Sequence, residues 1–390
     1  MYQRPYDDQE QQQQQPEDDY YPHFTIPLLE SDDVVDDDVS SDTCNNRFPV
    51  SIPQNMIDSF QKEGFVVFRH VVSTEGVDAL NDRLEDVLRG VYDRGRKPDK
   101  IPRLVKGDKP QAQALPVAVA EIIKDQPSSV EVEEETITTT TTATITKVNK
   151  KQQKKKRCGM GPIGFSGNTE NVKVLQIINI HKADSLFRKL ETNADLANIV
   201  AQLAGWEGYG GARLAQDQIW GKPPGAPPLV FHRDTPYFMF EPSDVVTVWI
   251  ALDDMDTELG PLEYVPGSHL WGDGRVGSAN QFFQTDTKKL VRSAAEREGI
   301  DPDALEFVSM AGMKNGGLSI HHGKIWHGSA KNCSRDKPRR GLGLHFVPAN
   351  VKFTSEAAKS ILWKSYVTDV EDLSTIELSE EDFPISTSIR

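Results

Sequence analysis

Leu229-Val230-Phe231-His232-Arg233-Asp234 is the stretch on which the reading of this chain turns. Its apolar, β-rich lead predicts a strand. His232 and Asp234 are two residues apart, so on a strand both side chains leave the same face and can share one cation. Further on, Trp326-His327-Gly328-Ser329 offers a second imidazole. Two imidazoles and one carboxylate on one face of a metal leave positions open for a substrate oxygen and O2, the arrangement of non-haem Fe(II) oxygenases. About a dozen residues after His327 stand Arg339 and Arg340. A guanidinium there can grip a dicarboxylate through two parallel hydrogen bonds. Ligands and arginine together point to chemistry dependent on Fe(II), O2 and 2-oxoglutarate.

Working outward, short β-rich segments surround the motif: Ala212 to Trp220, Leu229 to Asp234, Val245 to Leu252, Leu262 to Val265, Leu318 to His321 and Gly343 to Pro348. Many short strands broken by Gly and Pro predict a mainly β sandwich or jelly roll. Upstream, Gln54 to Glu63 reads as an amphipathic helix stopped by Gly64, followed by the β-rich Phe65 to Phe68. Ser73 then caps a helix running to about Gly90, with Leu80, Leu84, Val87 and Leu88 on one face. Val174 to Ile180 reads as a strand, and Ser185 to Leu190 and Asn193 to Ala204 as helices. Asp301 to Phe307 falls in a connection before the final strands.

The motifs also occur in a particular order. His232-Arg233-Asp234 is followed by Thr247-Val248-Trp249-Ile250-Ala251-Leu252-Asp253-Asp254, then by Gly260-Pro261-Leu262-Glu263-Tyr264-Val265-Pro266-Gly267-Ser268-His269. His327-Gly328-Ser329-Ala330-Lys331-Asn332 and Pro338-Arg339-Arg340 close the series. In this order and spacing the chain resembles the phytanoyl-CoA dioxygenase family, which includes ectoine-hydroxylase-like enzymes, over roughly residues 52–106 and 172–350. The resemblance implies a cupin-like double-stranded β-helix with flanking helices. It also implies an Fe(II)- and 2-oxoglutarate-dependent hydroxylase that turns 2-oxoglutarate into succinate and CO2. Halogenating relatives lack the carboxylate, so Asp234 favours hydroxylation.

The family motif His-Gly-Ser-x-x-Asn fits His327 among the three candidates His321, His322 and His327. His322 matches a second family histidine with a packing or supporting role, and His321 is expected on the opposite face of its strand. Arg339 matches the family's carboxylate-binding arginine, although one extra residue before it leaves Arg340 open. Lys222 resembles a family lysine near the co-substrate. Ser329 offers a hydroxyl there, Thr247 lies on a core strand facing the pocket, and Trp249 is placed to wall it. Asn332 is read as pinning the turn after His327. Gln218, Arg233 and Tyr237 are expected at the pocket mouth, where Arg233 would favour an anionic group.

Composition sets the frame. The chain of 390 residues carries a net charge of −15, and its first 46 residues hold 13 acids against Arg4 alone, or −12 of that total. The rest is nearly neutral, which argues against a nucleic-acid partner; a small-molecule substrate is what the family resemblance implies. Residues 1–46 have too few apolar side chains to offset chain entropy and are expected to be disordered. The same holds for an insertion at about 107–171, with its threonine run Thr138 to Thr142 and its basic run Lys150 to Arg157. An oxygenase domain is therefore expected over 47–350, with 351–390 as a C-terminal extension. No apolar run is long enough to span a membrane, and no signal or transit peptide is evident. Cys44, Cys158 and Cys333 fit neither a disulfide framework nor a zinc site, consistent with the cytoplasm. Two other functions fit the same residues: a non-catalytic metal-binding or regulatory protein, and a cupin-like metalloenzyme that needs no 2-oxoglutarate.

Overall fold

A computed structural model describes residues 51–102, 174–272, 286–368 and 370–385. The acidic start and the insertion at 107–171 lie outside the described residues. Local signals set the first elements. Helix α1 (Gln54–Glu63) buries Met56 and Phe60 and ends where Gly64 adopts φ 84 and returns its N–H to the Phe60 carbonyl. A Cβ at Gly64 would stand 2.5 Å from Nδ1 of His269, so the junction with β1 (Phe65–Phe68) requires glycine for space as well as for φ. The Ser73 hydroxyl accepts from the Gly76 N–H and caps α2 (Thr74–Leu88). After β2 (Leu175–Ile178), Asp184 and Asn193 cap α3 (Ser185–Glu191) and α4 (Ala194–Ala204) in the same way.

The strands that follow are β3 (Ala212–Lys222), β4 (Leu229–His232), β5 (Phe240–Glu241), β6 (Val246–Ala251) and β7 (Leu262–Tyr264). Helix α5 (Lys289–Arg297) precedes β8 (Val308–Ser309), β9 (Leu318–His322), β10 (His327–Ser329), β11 (Arg339–Pro348), β12 (Lys352–Phe353) and α6 (Lys364–Val367). They pair into a six-stranded sheet, β1-β9-β6-β11-β3-β2, and a four-stranded sheet, β4-β10-β7-β8. Every pairing in both is antiparallel. This is the double-stranded β-helix, or jelly roll, with helices on one outer face.

Side-chain alternation separates the layers. From β6, Val246, Val248 and Ile250 join α1 to α4 in the largest apolar cluster, along with Leu318 and Ile320 of β9 and Leu342, Leu344 and Phe346 of β11. The intervening Trp249 and Ala251 turn the other way and pack with Phe65 of β1 and Leu262 and Tyr264 of β7, between the sheets. The inner face of the large sheet therefore carries Thr247, Ser319, His321, Arg339 and His345.

Several elements differ from expectation. Strand β11 begins at Arg339, four residues earlier than read, because Gly341 and Gly343 mask the strand pattern. Strand β10 is three residues long around a glycine and reads as a turn. Helix α5 buries only Val291, Ala294 and Ala295, too small an apolar stripe to stand out. Residues 351–385 carry a cluster of their own: Trp363, Val367 and Phe383 pack against Phe238 and Phe240. Among the described residues no helix is long and apolar enough to cross a membrane.

Candidate metal centre

His232 closes β4 and His327 opens β10, and the two are register partners. Their rings stand 4.3 Å apart. Each is pinned the same way: Nδ1–H donates to a backbone carbonyl two residues earlier, Val230 at 2.8 Å and Ile325 at 3.1 Å. That bond fixes the tautomer and leaves both Nε2 lone pairs directed into one space. Asp234 lies just past β4 with helical backbone angles, and its N–H and that of Thr235 are anchored on the Gly323 carbonyl. Its Oδ1 is 3.7 Å from Nε2 of His232 and 3.5 Å from Nε2 of His327.

Three electron-pair donors thus converge with no hydrogen to share among them, a grouping that a cation would stabilise. Burial and the neighbouring imidazole lower His232 to about 4. Burial likewise takes His327 to about 4, against the pull of Asp234. Burial opposes ionisation of Asp234, but His327 and the hydrogen bond from His321 outweigh it and hold the carboxyl well below the usual range. The protonation states are those a divalent metal requires. A second group, His181, Glu191 and Asp217, is also fully buried. There His181 Nδ1 and Asp217 Oδ2 are 2.5 Å apart with a proton between them, unlike the triad.

Asp234 is further held through its other oxygen. Thr247 Oγ1 donates to Oδ2 at 2.7 Å, and His321 Nε2 lies 3.2 Å from it. The hydroxyl of Thr247 therefore serves the carboxylate, not the co-substrate. His321, expected on the opposite face of its strand, is on the inner face, and His322 packs on the outer one. Leu318 and Ile320 face the helices, so the pleat turns Ser319 and His321 inward and His322 outward, where it stacks on Phe60 and faces Asp244 at 3.8 Å. His345 is a site residue that the sequence reading missed. Its Nε2 is 3.8 Å from Asp234 Oδ2, and its even spacing from Arg339 on β11 is the signal that would have found it.

Arg339 and Lys222 are register partners across β11 and β3, and both are essentially inaccessible. Arg339 Nε and Nη2 have no hydrogen-bond partner among the described residues, and its Cζ rests 5.2 Å from the centre of the Trp249 ring. Trp249 thus walls the arginine end of the pocket. Lys222 Nζ donates to Ser329 Oγ at 3.2 Å and to the Ala330 carbonyl. Burial and the nearby Arg339 charge lower Lys222 to about 6, and burial lowers Arg339 to about 10. Arg340 points the other way, and its Nε and Nη2 grip Asp253 at 2.5–3.2 Å.

Arg233 is not at a pocket mouth. Placed between the two ligands, it points to the opposite face, is 2% exposed, and donates to the carbonyls of Ser268, Trp271 and Gly272. Gln218 is on the inner face in an amide row with Gln176 and Gln216. Tyr237 is half-buried near Asp234, and burial together with that charge raises its phenol to about 12. Asn332 pins the loop after β10, donating to the carbonyls of Lys222 and Lys337.

A sequence model described as phytanoyl-CoA dioxygenase matches residues 60–341. Among curated proteins, a Caenorhabditis elegans phytanoyl-CoA dioxygenase domain-containing protein 1 homolog is 28% identical over 184 residues, 45% of this chain and 60% of the relative. A phytanoyl-CoA dioxygenase of Arabidopsis thaliana is 27% identical over 192 residues, 48% of this chain and 62% of the relative. The match thus spans under two thirds of these relatives' lengths. Among solved structures, the non-heme alpha ketoglutarate dependent carbocyclase SnoK from nogalamycin biosynthesis aligns with a TM-score of 0.53 at 18% identity, covering 86% of this chain and 96% of that one. The alpha ketoglutarate dependent epimerase SnoN aligns with a TM-score of 0.51 at 15% identity, covering 85% and 98%. At such identities the likeness is one of fold.

Proposed function

This chain belongs to the phytanoyl-CoA dioxygenase family, and from that premise we propose that it is an Fe(II)- and 2-oxoglutarate-dependent oxygenase hydroxylating an unactivated C–H bond of a small organic or acyl substrate. His232, Asp234 and His327 would hold the iron. Arg339, with Lys222 and Ser329, would hold the distal carboxylate of 2-oxoglutarate. When bound together, Fe(II), 2-oxoglutarate and O2 supply an oxidant strong enough for such a bond, and 2-oxoglutarate leaves as succinate and CO2.

One observation carries this reading: the buried Arg339 guanidinium faces the buried Lys222 amine beside a metal-competent triad, with Arg339 hydrogen-bond donors unmet among the described residues. A buried charge without a counterion is costly, and a dicarboxylate relieves it. A metalloenzyme that used no 2-oxoglutarate would have no need of that pair. Thr247 holds the carboxylate ligand in place, Trp249 shapes the arginine end, and the burial of Arg339, Lys222 and Ser329 shields the charged contacts from water.

The test is succinate formation from 2-oxoglutarate by Fe(II)-loaded protein in air. Truncating one partner of a buried charge pair costs on the order of 2–5 kcal/mol. Arg339→Ala should therefore raise the apparent constant for 2-oxoglutarate by roughly 30-fold or more, each 1.4 kcal/mol being about tenfold. Arg340→Ala should leave it nearly unchanged. Metal-loaded protein that makes no succinate, or the reverse ranking of the two arginines, would contradict the reading.

A further inference from the structure

We propose that His321 is a positioning residue for the carboxylate ligand, the last donor in a relay from Ser319 through Tyr264 that commits Asp234 to the metal through Oδ1 alone. The proposal rests on the triad reading above. It starts from the inner face of β9, where Ser319 and His321 flank the outward Ile320.

Tyr264 Oη, on β7 of the opposite sheet, lies 2.8 Å from Ser319 Oγ and 3.0 Å from His321 Nδ1. Phe65 stacks on the Tyr264 ring at 4.7 Å with planes 19° apart, which fixes the direction of the phenol. His321 Nε2 lies 3.2 Å from Asp234 Oδ2. A buried carboxylate is acceptor-only, so Nε2 must carry the imidazole hydrogen. Nδ1 is then the acceptor, and the phenol must donate to it. The phenol oxygen in turn accepts from Ser319. Each hydrogen bond thus fixes the sense of the next, and the relay ends at one carboxylate oxygen.

Thr247 reaches that same oxygen at 2.7 Å, and it is the register partner of His321 across β6 and β9. Two neighbouring strands of the large sheet therefore both donate to Oδ2. Oδ1, which faces Nε2 of both His232 and His327, is left to the metal. Partners of this kind orient a ligand and tune its basicity, and losing one typically costs about 10- to 100-fold in metal affinity.

The experiment uses the full chain and Co(II) as the probe, following affinity and the visible ligand-field spectrum. Wild type should bind one Co(II), and Asp234→Ala should lose it. His321→Phe should weaken binding by about 10- to 100-fold and change the spectrum, because Oδ2 is then released to compete for the metal. His321→Gln, whose Nε2 can donate from a similar place, should restore most of both. Tyr264→Phe should shift both in the same direction by less, and it decides the matter if His321→Phe fails to fold. If wild type and Asp234→Ala bind Co(II) alike, the triad reading falls and takes the proposal with it. If Asp234→Ala loses the metal but His321→Phe or Tyr264→Phe matches wild type in affinity and spectrum, the relay is overturned and the triad stands.

Discussion

Lys222 shows how one residue's surroundings set its behaviour. It is fully buried opposite Arg339, and burial followed by the Arg339 charge brings it to about 6. At neutral pH it is therefore largely uncharged, and a bound dicarboxylate would draw a proton onto it. Binding of 2-oxoglutarate should be level below pH ~6, where Lys222 is already charged. Above that, affinity should fall with rising pH by up to about tenfold per unit, since each bound anion must bring a proton with it. His232 and His327, held to about 4, stay neutral across that window and add no slope of their own. Calorimetric titration of metal-loaded protein between pH ~5 and ~9 checks this, with Lys222→Met expected to flatten the profile. A wild-type affinity that is flat or rises above pH ~6 would contradict it.

Elements were legible in the sequence where local chemistry marks their ends. Ser73 and Gly64 announce α2 and α1. The strand expected to carry both His232 and Asp234 ends at His232, and Asp234 reaches the same space from a helical turn anchored on the Gly323 carbonyl. The phase of β9 was harder. His321-His322 offers two candidates for the inner face, and only the packing of Leu318 and Ile320 under the helices decides between them. The start of β11 was hidden for a related reason: Gly341 and Gly343 carry no strand propensity, and Gly341 is there for room. A Cβ at Gly341 would lie 2.6 Å from three atoms of the Trp249 indole. Gly341→Ala should therefore destabilise the fold by roughly 1–3 kcal/mol through overpacking. It should also weaken 2-oxoglutarate binding, because Trp249 supports Arg339. Urea unfolding measures the first effect, and an unchanged midpoint would mean that the sheet yields more easily than its register implies.

At the scale of the whole molecule, the segment after β11 is part of the fold. Trp363 is fully buried against Phe238 and Phe240, and its Nε1 donates to the Tyr237 carbonyl at 2.7 Å. Phe383 lies in the same cluster, and Arg213 ties the chain down through the Leu378 and Phe383 carbonyls. Removing a buried Phe or Trp typically costs about 3–5 kcal/mol, and a domain's whole stability is about 5–15 kcal/mol. A chain ended after residue 350 should accordingly fail to give folded monomer by size-exclusion and circular dichroism. Recovery of that truncation with the wild-type melting temperature would show that the cluster is dispensable.

The central claim is that the triad and the buried Arg339–Lys222 pair form one site for a metal and a dicarboxylate. Its most direct test is an anaerobic titration of Fe(II)-loaded protein with 2-oxoglutarate, followed by visible charge-transfer absorption. The account predicts a band that saturates at about one equivalent per chain for a single bidentate co-substrate. The band should be absent in His327→Ala and should form at higher concentration in Arg339→Ala. Protein that binds Fe(II) yet develops no band, or develops it equally well without His327, would contradict the account.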